Sequence, residues 1–349
     1  MTKRVAQPRC DDMLPPMRRL LLLAALALAG CATPSAGPAS FANPVIDADF
    51  PDPAVLRAPD GFYYVYGTQT ERDGAKVNIQ AARSRDLAHW EMLRDALPVK
   101  PAWASKTWDF WAPHVVRHDG RYFLYFSAKP DAALTDDKKG LCLAVATSAR
   151  PEGPFTDMGH PLVCGEGFVN IDPMAFDDPA TGKRLLYWGS GFQPIKVREL
   201  AADRMSFLLG SEAIDLVPPV KGGGYEQLVE GGWVVRRDGY YYLFYSGDNC
   251  CGEHAHYAVM VARARSATGP FEKKGEPILA AHGRWIAPGH NSVIEDGAGQ
   301  SWIVYHAVDA RRPGEPVNTR RVMLIDRLVW RDGWPEVVGP TEEPQRMPR

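Results

Sequence analysis

The 349-residue sequence predicts an all-β fold, a single five-bladed β-propeller with its site in the central channel, on three observations. One pattern recurs five times at intervals of about sixty residues. Each copy joins a turn glycine to a run of aromatic and β-branched residues, and the chain is rich in turn formers, with 32 glycines and 30 prolines. Repeats of this length, built of short strands, cannot bury their faces alone, and radial stacking leaves only short, protected edges. A β-solenoid or sandwich array would show a shorter period. Phe 13, Tyr 13 and Trp 10 within a 45% hydrophobic composition supply a core and exclude disorder, while the turn content excludes long helical bundles. Forty basic residues against 42 acidic ones give a net charge of −2, which offers no drive toward nucleic acid or an anionic membrane, so a neutral ligand is expected.

From the N-terminus, Met17-Arg18-Arg19 leads into an apolar run, Leu20 to Ala29, too short to span a bilayer. It reads as a secretion signal. Leu28-Ala29-Gly30-Cys31 resembles the lipobox of bacterial lipoproteins, in which the cysteine is acylated and becomes the first mature residue. Residues 1–31 are therefore expected to be an address with Cys31 lipidated, and residues 32–42, rich in Pro, Ser, Gly and Ala, a flexible tether. The propeller is expected over 43–340, with 341–349 as a tail. The expected location is outside the cytoplasm, on the periplasm-facing membrane or the cell surface. The lipid anchor would be the only membrane contact, and the protein a monomer.

Export permits disulfides. The four remaining cysteines allow three pairings; Cys142–Cys164 with an adjacent Cys250–Cys251 bridge is the expected set, the alternative being reduced, buried thiols. None has metal-ligand spacing, and His254 with His256 is read as two alternating strand positions sharing a face.

The repeat begins at Gly61, Gly120, Gly182, Gly239 and Gly299, spaced 59, 62, 57 and 60 residues apart, each glycine followed by a strand such as Phe62-Tyr63-Tyr64-Val65-Tyr66 or Tyr240-Tyr241-Tyr242-Leu243-Phe244. A third strand with its exit turn follows at Ala82-Arg83-Ser84, at Ala146-Thr147-Ser148 with Gly153-Pro154-Phe155, and at Ala262-Arg263-Ala264 with Gly269-Pro270-Phe271. Val329 to Pro335 starts no sixth copy and is expected to complete a blade near the ends of the ring.

The strand before each hairpin should be innermost, so residues at a matched offset before the glycines should converge on the channel. Nine residues before four of the glycines, and ten before Gly182, stand Asp52, Trp111, Asp172, Glu230 and His290. Three acids at one level of a channel are costly to bury without a purpose. Each acid lies beside Pro or Gly, which interrupt pairing and fix a local turn. Facing carboxylates within aromatic walls equip a site to split a glycosidic bond, one group protonating the leaving oxygen and another activating water. No serine-hydrolase elbow, zinc-protease motif or phosphate-binding glycine loop is present.

These residues resemble glycoside hydrolase family 43, the five-bladed propeller family of arabinanases, arabinofuranosidases and β-xylosidases. The resemblance runs from Asn43 to about Pro340. It is carried by Phe50-Pro51-Asp52-Pro53, Trp111-Ala112-Pro113, Ile171-Asp172-Pro173, Val229-Glu230-Gly231, Gly289-His290-Asn291-Ser292 and the Gly-Pro-Phe turns in order. It implies an inverting hydrolase in which Asp52 is the general base, Glu230 the general acid, and Asp172 tunes the pKa of the acid and orients it. An ionised Asp172 together with partial desolvation is expected to raise Glu230. Trp111 and Phe110 are expected to stack on sugar, and His290 and Arg321 to line the substrate site. The resemblance also implies a calcium ion held by His290 through water, with no cofactor needed for chemistry.

The expected substrate is a neutral oligo- or polysaccharide of the plant cell-wall type, with α-L-arabinofuranosyl linkages first. The segment Tyr245 to Cys251 resembles arabinan-active members, and β-xylosidase or β-galactofuranosidase activity is the alternative. A non-catalytic carbohydrate-binding propeller lipoprotein is the reading from another class. Whether the cleft admits internal or only terminal linkages depends on loops such as Asp131 to Gly140 and Val217 to Tyr225.

Overall fold

A computed structural model describes residues 39–136, 138–310 and 320–349; the secretion signal, Cys31 and most of the tether lie outside the described residues. Five antiparallel sheets follow one another along the chain. The first strands of the blades are Ala54–Arg57, Phe110–His118, Met174–Asp177, Val229–Arg237 and Trp285–Glu295. Each pairs with the strand of its repeat: Tyr63–Gly67, Arg121–Ala128, Arg184–Trp188, Tyr240–Gly247 and Ser301–Asp309. Two further strands complete each blade, and the second blade adds the short strand Val163–Cys164.

The five turn glycines all have positive φ, between 72° and 83°. In the second and fourth blades the loop is two residues long, Asp119-Gly120 and Asp238-Gly239, and the aspartates too have positive φ, 47° and 49°. A type I′ turn requires this of both central residues, which is why Asp-Gly stands there.

The core is divided as the ring is. Five apolar clusters each join residues of neighbouring blades, for example Tyr64, Tyr66, Phe110 and Phe126 between the first and second. Tyr66, Tyr125 and Tyr187, at the same offset in three repeats, are wholly buried. Their hydroxyls donate to the backbone carbonyls of Pro151, Arg204 and Ala267, at 2.6, 2.8 and 2.7 Å. A buried phenol needs such a partner, so one residue supplies both apolar area and a latch to the next blade.

Phe110 belongs to this core. It is fully buried against Phe126, at a centroid distance of 6.1 Å, and does not reach sugar as expected. The strand period explains the difference: adjacent residues face opposite sides of a sheet, so only one of Phe110 and Trp111 can face the channel.

The last blade contains Trp285–Glu295, Ser301–Asp309, Arg321–Arg331 and Trp334–Val338, so Val329 to Pro335 is its outer hairpin. Closure involves more chain than expected. Ser40–Phe41 pairs with Gln345–Arg346, which makes the end of the expected tether and most of the expected tail part of the domain. Asn43 is buried and exchanges hydrogen bonds with both backbone groups of Ile325, each at 3.0 Å. No helix among the described residues is long and apolar enough to cross a membrane.

Candidate active site

The top of each first strand carries a residue with positive φ: Asp52 (58°), Ala112 (47°), Asp172 (59°), Gly231 (62°) and His290 (44°). Non-glycine residues there are strained, at a cost of about 1–3 kcal/mol each, and persist only where the surroundings hold them. The prolines beside them, Pro51, Pro53, Pro113 and Pro173, have no N–H to lose when pairing stops. The kink turns Asp52, Asp172 and His290, and the neighbours Trp111 and Glu230, into one cavity of about 380 Å³, which Arg321 and Phe168 also line. That volume suits a small ligand. All five residues at the matched offset therefore meet.

A second ring of residues holds the kinks. The backbone N–H of Ala112 donates to Thr68 Oγ1 at 2.8 Å, that of Asp172 to Ser127 Oγ at 3.1 Å, and that of His290 to Ser246 Oγ at 2.7 Å. The N–H of Asp52 donates to His306 Nδ1 at 3.1 Å and closes the ring between the last blade and the first. Thr68, Ser127, Ser190, Ser246 and His306 stand seven residues after their turn glycines, eight in the third blade. The same periodicity that found the acids would have found them, had it been read forward as well as backward.

The three carboxyls have different environments. Burial would raise Asp52, but Arg321 first and then His290 overcome it and hold the carboxyl well below the usual range. Arg321 Nη1 lies 3.5 Å from Asp52 Oδ1, and His290 Nδ1 lies 3.3 Å from the same oxygen. His306, pushed down to about 4 by burial, is neutral and uses Nδ1 to accept the Asp52 N–H. Glu230 is raised to about 7, chiefly by burial, against hydrogen bonds from Tyr257 Oη to Oε1 and from Ser190 Oγ to Oε2, each 2.8 Å. Asp172 is pushed well above the carboxylate range by burial first and then by Glu230 and Asp52, although it accepts the Gly231 N–H at 3.0 Å. Burial thus dominates at Glu230, where the sequence suggested an ionised Asp172 as a main cause.

One ionised carboxylate opposite a buried, protonatable carboxyl is an acid–base pair poised for neutral pH. A second cavity, of about 410 Å³, lies along the lower part of the inner strands, beside His114 and Trp233. Its one carboxylate, Asp177, is paired with Arg204 at 2.6 Å, so that cavity lacks such a pair.

Cys142 and Cys164 are bonded across facing strand positions, and Cys250 is bonded to Cys251 at the cavity edge. His254 and His256 do not share a strand face, because the strand begins at Ala258. His256 instead stacks on Tyr225 at 4.3 Å and pairs with Asp248 at 2.7 Å. Among the described residues no group of three or more His, Cys, Asp or Glu side chains is placed to hold a metal ion. His290 Nδ1 is turned to Asp52 Oδ1 at 3.3 Å and Asp172 Oδ2 at 3.8 Å.

The family description glycosyl hydrolases family 43 matches residues 41–335. The β-D-galactofuranosidase xynD of Aspergillus niger is 31% identical over 83% of this chain and 82% of its own. The extracellular endo-α-(1→5)-L-arabinanase 1 of Bacillus subtilis is 28% identical over 81% and 86%. The crystal structure of a thermostable family-43 glycoside hydrolase superposes with a TM-score of 0.74 at 28% identity, covering 88% of this chain and 99% of that one. A propeller whose inner strands deliver three unequal carboxyls to one cavity, and whose sequence matches over that whole span, belongs to glycosyl hydrolases family 43.

Proposed function

We propose that this glycosidase hydrolyses α-L-arabinofuranosyl linkages of arabinan or of arabinose side chains, with inversion. The observation that carries the assignment of roles is the opposed protonation of Asp52 and Glu230 in one cavity. Asp52, ionised, takes a proton from water as the water oxygen attacks the anomeric carbon. Glu230, protonated, delivers its proton to the glycosidic oxygen as the bond to that carbon breaks. Asp172 fixes the backbone at Gly231 and so orients the acid. Inversion requires room for that water, which carboxyls about 6.5–9.5 Å apart provide. Trp111 offers a ring face to the sugar, and Arg321 holds Asp52 ionised while lining the cavity.

A β-D-galactofuranosyl substrate is the second reading, favoured by the A. niger relative. The two sugars share their ring configuration and differ by an exocyclic hydroxymethyl group, so small changes of the pocket wall separate them. Activity on a panel of nitrophenyl α-L-arabinofuranoside, β-D-galactofuranoside and β-D-xyloside, with linear arabinan beside it, distinguishes these readings, and NMR of the first-formed anomer tests inversion. Highest kcat/KM on the arabinofuranoside with the inverted anomer is expected; preference for galactofuranoside or xyloside overturns the sugar, and retention overturns the mechanism.

The basic start, apolar run and Cys31 motif support export and lipid anchoring outside the cytoplasm. Loss of membrane association on Cys31→Ser tests the anchor. No catalytic step is assigned to calcium.

A further inference from the structure

Four members of the ring of anchors, Thr68, Ser127, Ser246 and His306, each accept the N–H of a kinked residue on the next blade. The fifth, Ser190, does not. On the blade after it, the corresponding N–H, that of Gly231, goes instead to Asp172 Oδ2 at 3.0 Å, and the Ser190 hydroxyl donates to Glu230 Oε2 at 2.8 Å. The exception has a local cause. The third repeat has one residue more between its turn glycine and its anchor, and Gly189, at φ 137°, takes up the extra residue where a Cβ would press on Pro194 O at 3.0 Å. The other carboxyl oxygen of Glu230 accepts from Tyr257 Oη at 2.8 Å.

Tyr257 cannot easily turn away. It is 1% exposed and stacks on His306 at a centroid distance of 5.8 Å, with planes 11° apart. Its ring also occupies the space that a Cβ at Gly289 would need. The glycine of the Gly289-His290-Asn291-Ser292 motif is therefore small because Tyr257 lies against it.

Resting on the reading of Glu230 as the acid, we propose that Ser190 and Tyr257 are positioning residues that grip the Glu230 carboxyl by its two oxygens and hold it in its proton-donating orientation. Neither touches the reacting atoms. Both hydroxyls donate, so both favour the ionised carboxyl and oppose burial, while Asp52 raises Glu230 and Arg321 lowers it. The charge of the same carboxyl raises Asp172, and His290, beside Gly231, lies on the Asp52 and Asp172 side. The grip thus keeps the acid aligned and at the same time keeps it able to give up its proton.

The test uses Ser190→Ala, Tyr257→Phe and Ser190→Thr, with two readouts: the pH profile of kcat/KM on an unactivated arabino-oligosaccharide, and the titration of Glu230 followed by NMR in glutamate-labelled protein. Removing either donor should move the Glu230 titration and the alkaline limb of the profile upward together, by about one pH unit. It should also lower kcat below that limb about tenfold while leaving nitrophenyl substrates less affected, and Ser190→Thr should restore the wild-type profile. A loss equal at every pH and for both leaving groups, with the titration unmoved, would overturn the proposal. If Tyr257→Phe does not fold, Ser190→Ala carries the test alone. A moved titration in a protein whose Glu230→Gln variant still cleaves the oligosaccharide at full rate would instead overturn the reading of Glu230 as the acid.

Discussion

Asp52 and Glu230 share one cavity, yet Asp52 is held well below the usual carboxylate range and Glu230 is raised to about 7, and the cause is local. Asp52 has Arg321 and His290 within 3.5 Å; Glu230 has only neutral hydroxyl donors. The pH–rate profile follows from the signs. Catalysis needs Asp52 ionised and Glu230 protonated, so kcat/KM should hold on the acid side to below the ordinary carboxylate range and fall as pH rises through about 7. Arg321→Met should release Asp52 toward burial's preference and move the acid limb to higher pH; an unmoved limb would show that Arg321 does not set it. The same burial predicts a cost to folding. Glu230 ionises near 4.5 unfolded and about 7 folded, so the destabilisation grows across that interval and is constant above it. Glu230→Gln should therefore raise stability at pH 8, by roughly 2 kcal/mol, and have little effect at pH 4, as read from denaturant melts.

The first strand of each blade works as a unit with the anchor of the blade before it. Gly289→Ala tests this at one point, because the added Cβ meets the Tyr257 ring: overpacking of this kind costs about 1–3 kcal/mol and displaces the phenol that holds Glu230. Loss of oligosaccharide hydrolysis exceeding loss on nitrophenyl substrates is expected, measured by the ratio of the two kcat/KM values. Elements were legible in the sequence where period and turn chemistry agreed. The five turn glycines and the alternation after them located the hairpins, and an offset of nine residues, ten in the third blade, located all five channel residues. Phe110 failed because its neighbour Trp111 took the channel side of the same strand. His254 and His256 failed because the strand starts two residues later, after a loop that pins His256 to Tyr225. Phe168 and Tyr257 carry no repeated offset, so only the three-dimensional ring places them at the site.

Across the whole molecule, closure decides whether the first and last blades meet with the register that brings His306 to Asp52. Contacts from the chain ends help hold that seam: the Ser40–Phe41 pairing with Gln345–Arg346, Asn43 on Ile325, and Thr341 on Asp326. None of these lies in a repeated motif, which is why the tail and the end of the tether read as dispensable. Truncation after Pro340 removes the pairing, the Thr341 contact and the Arg349 N–H to Asp296. Each lost buried hydrogen bond costs about 1 kcal/mol, so Tm should fall by several degrees while the activity that remains at low temperature keeps its pH profile. An unchanged Tm would restore the shorter domain.

The most direct test of the division of labour among the acids compares wild type with Glu230→Gln on two leaving groups. An activated nitrophenyl α-L-arabinofuranoside needs little proton donation, whereas linear arabino-oligosaccharide depends on it. If Glu230 is the acid, the variant loses about 10²–10⁴-fold in kcat on the oligosaccharide and far less on the nitrophenyl substrate. Equal losses on both, or none on the oligosaccharide, would contradict the account.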